Sequence, residues 1–342
     1  MTSSQNLYYR PIAMTDPARP SDALDLAGGW CWFDRVEVLA RSGPQGLIAA
    51  ADLPEDTRAR LCAPRPAVLG LPQDRPLIMG ILNVTPDSFS DGGRFATPDL
   101  ALGHARAMAA AGADILDIGG ESTRPGAADV TVEQEISRTA PIITSLRNDG
   151  FALPISIDTR KSAVADAALK AGAEMVNDVS AFGYDAGLAA VVRAHNVPVC
   201  LMHAQGAPAT MQLDPRYGDV LLDIYDFLAA KVDAAEAAGI ARDRVIVDPG
   251  IGFGKTVAHN LALIRGLSLF HGLGCRILLG ASRKRFIGTL SGTDAADQRG
   301  PGSLAVTLAG AAQGVQLHRV HDTSETRQAL RLWQAAMIGG IE

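Results

Sequence analysis

From about residue 76 to the C-terminus, short apolar runs alternate with longer amphipathic ones, and that rhythm leaves few folds open. Eight runs read as strands, at 77–83, 114–119, 154–158, 175–180, 198–203, 245–249, 276–282 and 317–322. They are continuously apolar rather than alternating, as parallel strands covered on both faces are. Between them lie Ala- and Leu-rich helical stretches, among them 100–111, 132–147, 161–171, 218–238 and 303–312. Eight strand-then-helix units predict an α/β fold, a (β/α)8 TIM barrel over 76–338. An open doubly wound sheet would need a Gly-rich dinucleotide turn after its first strand, and Ile81-Leu82-Asn83-Val84-Thr85-Pro86 is not one.

Residues 1–70 stand outside this rhythm. The stretch Gly29-Trp30-Cys31-Trp32-Phe33-Asp34-Arg35-Val36-Glu37-Val38 is rich in aromatic and β-branched residues and holds two of the three tryptophans. It predicts an N-terminal extension, a small strand or hairpin packed on the barrel rather than a tail.

Composition narrows the function classes. With 47% hydrophobic and 20% charged residues, wholesale disorder is excluded. A net charge of −6 argues against a broad surface for nucleic acid or anionic membrane. Neither a signal peptide nor a membrane-spanning run is expected. Cysteines 31, 62, 200 and 275 form no CxxC pair, so no zinc or redox motif is suggested and a reducing, cytoplasmic setting is expected.

Barrel enzymes place their chemistry at the C-terminal strand ends. Here those ends read Asn83, Asp117, Asp158, Asn177-Asp178, His203, Asp248, Ser282-Arg283-Lys284 and Arg319-Val320-His321-Asp322. Some would serve as helix N-caps, with Asp322 and Ser324 the first choices and Asp158 another. Eight of eight exceeds what capping needs, and a charge on a buried strand is costly unless paired or liganded. Asp117, Asp158, Asn177 and Asp248 would offer acceptors to a flat ligand rich in N–H donors, such as an aminopyrimidine edge. Arg124, Arg283, Lys284, Arg285, Arg319 and His321 gather around strands 2, 7 and 8, where barrels commonly hold phosphate.

Two polar, Gly-containing loops, 85–95 and 121–127, suit lids over an anion. In Asp248-Pro249-Gly250-Ile251-Gly252-Phe253-Gly254-Lys255 the spacing is not that of a phosphate-binding P-loop, and its glycines are expected to admit a flat ligand closely. Lys284 between two arginines raises a Schiff-base alternative, because like charges depress a lysine pKa, but the arginines favour anion binding. His203 lacks the neighbours of a metal trio.

Several segments resemble one family. Met79-Gly80-Ile81-Leu82-Asn83-Val84-Thr85-Pro86-Asp87-Ser88-Phe89-Ser90-Asp91-Gly92-Gly93 and Asp117-Ile118-Gly119-Gly120-Glu121-Ser122-Thr123-Arg124-Pro125-Gly126 are similar to the two signatures of the dihydropteroate synthases, the folate-pathway enzymes that sulfonamides inhibit. Ser156-Ile157-Asp158-Thr159, Asn177-Asp178-Val179, Leu201-Met202-His203, the Asp248–Lys255 run, Ser282-Arg283-Lys284 and Arg319-Val320-His321-Asp322 continue the resemblance in order.

The resemblance implies a transferase that joins 7,8-dihydropterin-6-ylmethyl diphosphate to 4-aminobenzoate with Mg²⁺. The C–O bond to diphosphate would break early, and the arylamine would attack the pterin methylene. Asp117, Asp158, Asn177, Met202, Asp248, Phe253 and Lys284 would hold the pterin. Asn83, Thr123, Arg124, Arg319 and His321 would hold the diphosphate. Phe89, Pro125, Ser282 and Arg283 would shape the aminobenzoate pocket, and Asn83 and Asp91 would ligate Mg²⁺. Asp91, Arg124, Lys284, Arg319 and His321 would carry the catalysis, and the partners implied are those small-molecule substrates and a second copy in a homodimer.

Two other readings compete. A methyltetrahydrofolate-type methyltransferase domain shares the acidic floor but should lack both diphosphate lids. A non-catalytic pterin-binding paralogue should have lost lid residues that are present here.

Overall fold

The computed structural model describes residues 6–84, 98–122, 129–206 and 210–339. Eight parallel strands close into a barrel: β6 (Leu77–Asn83), β7 (Ile115–Gly119), β8 (Ile155–Asp158), β9 (Met175–Asp178), β10 (Val199–Met202), β11 (Val245–Asp248), β12 (Arg276–Leu279) and β13 (Leu317–Val320). Sequence neighbours pair all the way round, and β13 pairs with β6 to seal the cylinder. This is the predicted (β/α)8 architecture.

The helices α2 (Pro98–Ala110), α3 (Val132–Asn148), α4 (Ser162–Lys170), α5 (Leu188–His195), α6 (Val220–Ala237), α7 (Val257–Arg265), α8 (Arg285–Ser291), α9 (Gly300–Ala311) and α10 (Thr323–Met337) follow the strands. Their starts are chemically marked. Thr131 caps α3 through the backbone N–H of Gln134, whose side chain accepts in return from the Thr131 N–H. Thr256 and His259 do the same for α7, and Asp219 caps α6. None of the described helices is long and apolar enough to cross a membrane.

The last strands stop short of their predicted ends. Ser282 to Lys284 and His321 to Asp322 lie on the loops after β12 and β13, where side chains escape the strict alternation of a strand.

The extension is more elaborate than a hairpin. β1 (Leu7–Pro11), β4 (Arg35–Ala40) and β5 (Gly43–Ala49) form an antiparallel sheet, β2 (Leu24–Asp25) pairs with β3 (Trp32–Phe33), and α1 (Glu55–Cys62) follows. Leu26, Cys31, Phe33, Val36, Leu53 and Leu61 give it an apolar centre. The Trp30 indole N–H donates to the Ala311 carbonyl at the end of α9, 2.8 Å away. Arg41 pairs with Asp223 and Asp226 of α6.

Beyond α1 the chain turns under the barrel. Val68 joins Leu77, Met79, Ile115, Met175, Cys200, Ile246, Leu278 and Leu317 in one buried cluster at the N-terminal end of the strands. Two buried arginines that pair with no carboxylate among the described residues staple this junction. Arg65 donates to the carbonyls of Arg60, Ala63, His271 and Cys275, and Arg276 of β12 donates to those of Arg65 and Pro66. Carbonyl oxygens thus replace the hydration each guanidinium loses.

Candidate active site

The C-terminal mouth collects the polar strand ends, and the strand register sets their depth. Gly119, Asp158 and Asn177 stand level on β7, β8 and β9, whereas Asp117 faces Ser156 two residues lower. Met202 and Asp248 are level on β10 and β11. All of these except Gly119 and Ser156 are candidate site residues in the sequence.

Arg319 reaches across the barrel from β13 into this floor. Its Nε donates to Asp117 Oδ2 at 2.5 Å and its Nη2 to Asp158 Oδ2 at 2.7 Å. Asn177 Nδ2 donates to the same Asp117 oxygen at 3.1 Å. Asp117 is fully buried, with Oδ2 shared between two donors and Oδ1 without a hydrogen-bond partner among the described residues. It accepts from both Arg319 and Asn177 at this lower level of the floor. Burial pushes the Asp158 carboxyl up to about 7; Arg319 pulls it back, and Asp117 raises it again.

Lys284 and Asp248 form the second charged group. The Lys284 ammonium donates to the Ile251 carbonyl and stands 4.5 Å from the Phe253 ring centroid. Asp248 Oδ1 accepts from the Gly250 N–H at 2.7 Å. Burial raises the Asp248 carboxyl, against the pull of Lys284. Burial also lowers Lys284 to about 8, with Asp248 opposing and Arg319 assisting. The flanking arginines are not the cause expected from sequence, because Arg283 turns to Asp322 and Arg285 is exposed.

The glycines of the β11 loop serve a different neighbour from the flat ligand expected. A Cβ on Gly250, whose φ is +69°, would stand 1.9 Å from the His203 carbonyl oxygen; one on Gly254 would stand 2.5 Å from that of Gln205. Their room is filled by the β10 loop. Beneath it, the buried Lys255 ammonium lies 3.0 Å from His203 Nδ1 and donates to the Phe253 carbonyl at 2.9 Å. Burial, then Lys255, hold His203 down to about 3, so it is a neutral, structural histidine.

Asp322 occupies the N-cap position of α10 but makes no side-chain cap. Its carboxylate pairs with Arg283, a charged partner that outcompetes a backbone N–H. Asp158 is likewise held by Arg319 rather than capping, and Ser324 lies inside α10. Ser282 Oγ lies 3.0 Å from His321 Nδ1 and accepts from the His321 N–H at 3.2 Å. Asn83 ends β6 half-buried, its Oδ1 3.5 Å from where a Cβ on Gly119 would stand. Phe89, Asp91, Thr123, Arg124 and Pro125 lie outside the described residues.

Sequence reasoning missed a buried ion cluster beside the mouth. Lys161 Nζ donates to Glu121 Oε1 (3.0 Å), Glu135 Oε2 (2.7 Å) and the Val130 carbonyl (2.8 Å). Arg160 pairs with Glu121 and Asp129. The signal was Arg160-Lys161 directly after strand 3, facing a Glu after strand 2.

Acceptors thus line the floor, and Arg319, Lys284, Arg283 and His321 stand around them. The site can take a planar, N–H-rich ring that carries an anion.

Known proteins point the same way. The family model described as pterin binding enzyme matches residues 79–321. The dihydropteroate synthase of Neisseria meningitidis serogroup C is 44% identical over 265 residues, covering 77% of this chain and 93% of that protein. The Escherichia coli K12 enzyme is 44% identical over 262 residues, covering 77% and 92%. The Xanthomonas albilineans dihydropteroate synthase solved with 4-aminobenzoic acid superposes with a TM-score of 0.73 at 48% identity, covering 77% of this chain and 93% of that one. The same enzyme in complex with 7,8-dihydropteroate gives 0.71 at 45%, covering 78% and 95%.

Proposed function

The chain belongs to the dihydropteroate synthases, a family of pterin-binding transferases, and from that premise we propose how its residues divide the reaction. The chain condenses 7,8-dihydropterin-6-ylmethyl diphosphate with 4-aminobenzoate and releases diphosphate, leaving 7,8-dihydropteroate. The arylamine is neutral and nucleophilic at pH 7, so the demand on the protein is to stabilise charge as diphosphate departs.

Asp158, Asn177 and Asp248 accept from the pterin edge, with Met202 and Phe253 against the ring and Lys284 donating beside Asp248. Asp117 holds Arg319 and Asn177 in place. Arg319 and His321, joined by Thr123 and Arg124, receive the diphosphate. Ser282 and Arg283, with Phe89 and Pro125, bound the aminobenzoate.

Magnesium fits this donor set. No group of three or more His, Cys, Asp or Glu among the described residues could hold a metal ion. The Asn83 carboxamide oxygen is a hard donor at the mouth, and Mg²⁺ takes few protein ligands where phosphate oxygens and water supply the rest. Asn83, with Asp91, would hold it, and it would offset charge on the leaving diphosphate. We place the protein in the cytoplasm as a homodimer, as the family resemblance implies.

The observation that carries this reading is the floor of Asp158, Asn177 and Asp248 facing Arg319 and Lys284. Its test is diphosphate release by the purified protein. Release that requires the dihydropterin diphosphate, 4-aminobenzoate and Mg²⁺ together supports it. Pterin binding without release under those conditions would assign a non-catalytic binder instead.

A further inference from the structure

Three consecutive residues after β12 point to three different places. Ser282 meets His321, Arg283 pairs with Asp322, and Lys284 reaches the β11 loop. Regular backbone does not splay neighbours this way. The cause is Arg283, whose φ of +58° is left-handed, a conformation uncommon for any residue with a Cβ and costly unless its surroundings hold it.

The surroundings are on α9 and the turn before it. The Arg283 N–H donates to Ser303 Oγ at 2.8 Å, and the Arg283 carbonyl accepts from Arg299 Nη1 at 3.1 Å. Arg299 is itself fixed, because its Nε donates to the Thr293 carbonyl at 3.0 Å and its Nη2 to that of Asp294. Ser303 Oγ in turn donates to the Arg299 carbonyl at 2.8 Å. Both polar groups of the strained residue are therefore held by one small, preorganised unit. Arg299 pairs with no carboxylate among the described residues and spends its guanidinium on three carbonyls. Lys284 is anchored separately, through Ile251 and Phe253.

We propose that Arg299 and Ser303 are positioning residues that hold Arg283 in its left-handed turn and so set the aminobenzoate side of the site, leaving the pterin side to its own anchors. The inference rests on the aminobenzoate role given to Arg283 above. Releasing the clamp lets the residue relax toward ordinary backbone, which moves the Arg283 and Ser282 side chains together.

The test uses the full chain with Arg299→Met and, as a variant that removes one hydroxyl only, Ser303→Ala. Steady-state diphosphate release is measured against each substrate separately. The expected result is an arylamine KM raised about tenfold, with kcat and the dihydropterin diphosphate KM within about threefold, the split of an interaction lost from uniform binding. In an Arg283→Ala background the same substitutions should add little, since the residue they position is gone. An unchanged arylamine KM in soluble Ser303→Ala, or equal losses for both substrates, would overturn the proposal, as would full additivity with Arg283→Ala. Failure of the wild-type chain to release diphosphate would overturn the reaction itself, a separate outcome.

Discussion

Arg319→Met keeps the aliphatic stem of the side chain and removes the guanidinium that Asp117 and Asp158 share. Two carboxylates are left facing each other with Asn177 as the remaining donor. Breaking a buried pair from one side costs about 3–5 kcal/mol when the stranded charge cannot escape. Here it can, because a carboxyl freed from a cation takes up a proton. Asp158 is already raised to about 7 by burial with Arg319 pulling it down, so the variant's value lies higher still.

The sign of the pH dependence follows. An unfolded Asp titrates near 3.9. A carboxyl whose folded pKa lies above that stabilises fully below the unfolded value, and the contribution is lost as pH rises through the folded one. The variant should thus unfold in urea close to wild type near pH 5, and the gap should open above about pH 7 at up to about 1.4 kcal/mol per pH unit, reaching about 1.4 kcal/mol near pH 8. Turnover should drop by about 10²–10³, the scale for one preorganised donor to developing charge. Urea midpoints at both pH values and diphosphate release are the assays. A stability gap independent of pH, or turnover within tenfold of wild type, would refute the reasoning.

Lys161→Met strands Glu121 and Glu135 in a buried site, so a stability loss of about 3–5 kcal/mol is expected in urea unfolding, and a loss under 1 kcal/mol would show the cluster to be hydrated. Because Lys284 is lowered to about 8, the pH–rate profile should descend through that region, and Lys284→Arg should move the descending limb upward by keeping its charge; an unmoved limb assigns it to another group. Starting the chain at residue 72 uncovers the Leu77, Met79 and Ile115 end of the barrel, at about 1.5–3 kcal/mol per fully exposed side chain, so the product should be insoluble or melt far below the full chain; equal melting would make the extension dispensable.

The barrel was legible because parallel strands buried on both faces leave unbroken apolar runs. Their ends were less so. At 276–282 and 317–322 the polar tail read as strand, whereas the ladder stops at Leu279 and Val320. Asp158, Asn177, Asp248 and Arg319 stood out as polar residues on apolar runs. What sequence could not give was pairing. Arg319 is 202 positions from Asp117 and 161 from Asp158, and only closing the barrel brings them together. The same limit hid Asp322's choice of Arg283 over its helix. The extension resisted reading because its strands are short and its apolar centre draws on scattered residues such as Leu26, Phe33 and Leu61.

The staple beneath the barrel bears on how such a chain can be taken apart. Arg276 belongs to a barrel strand, yet the oxygens that satisfy it belong to Arg65 and Pro66. Neither piece is chemically complete alone. Cut between them, the barrel keeps a guanidinium stripped of the oxygens that satisfied it, and the extension keeps carbonyls shaped around an absent guanidinium. A chimera that moved this barrel onto another leader would have to replace Arg276 as well, so the true modular boundary runs through β12 rather than along the linker.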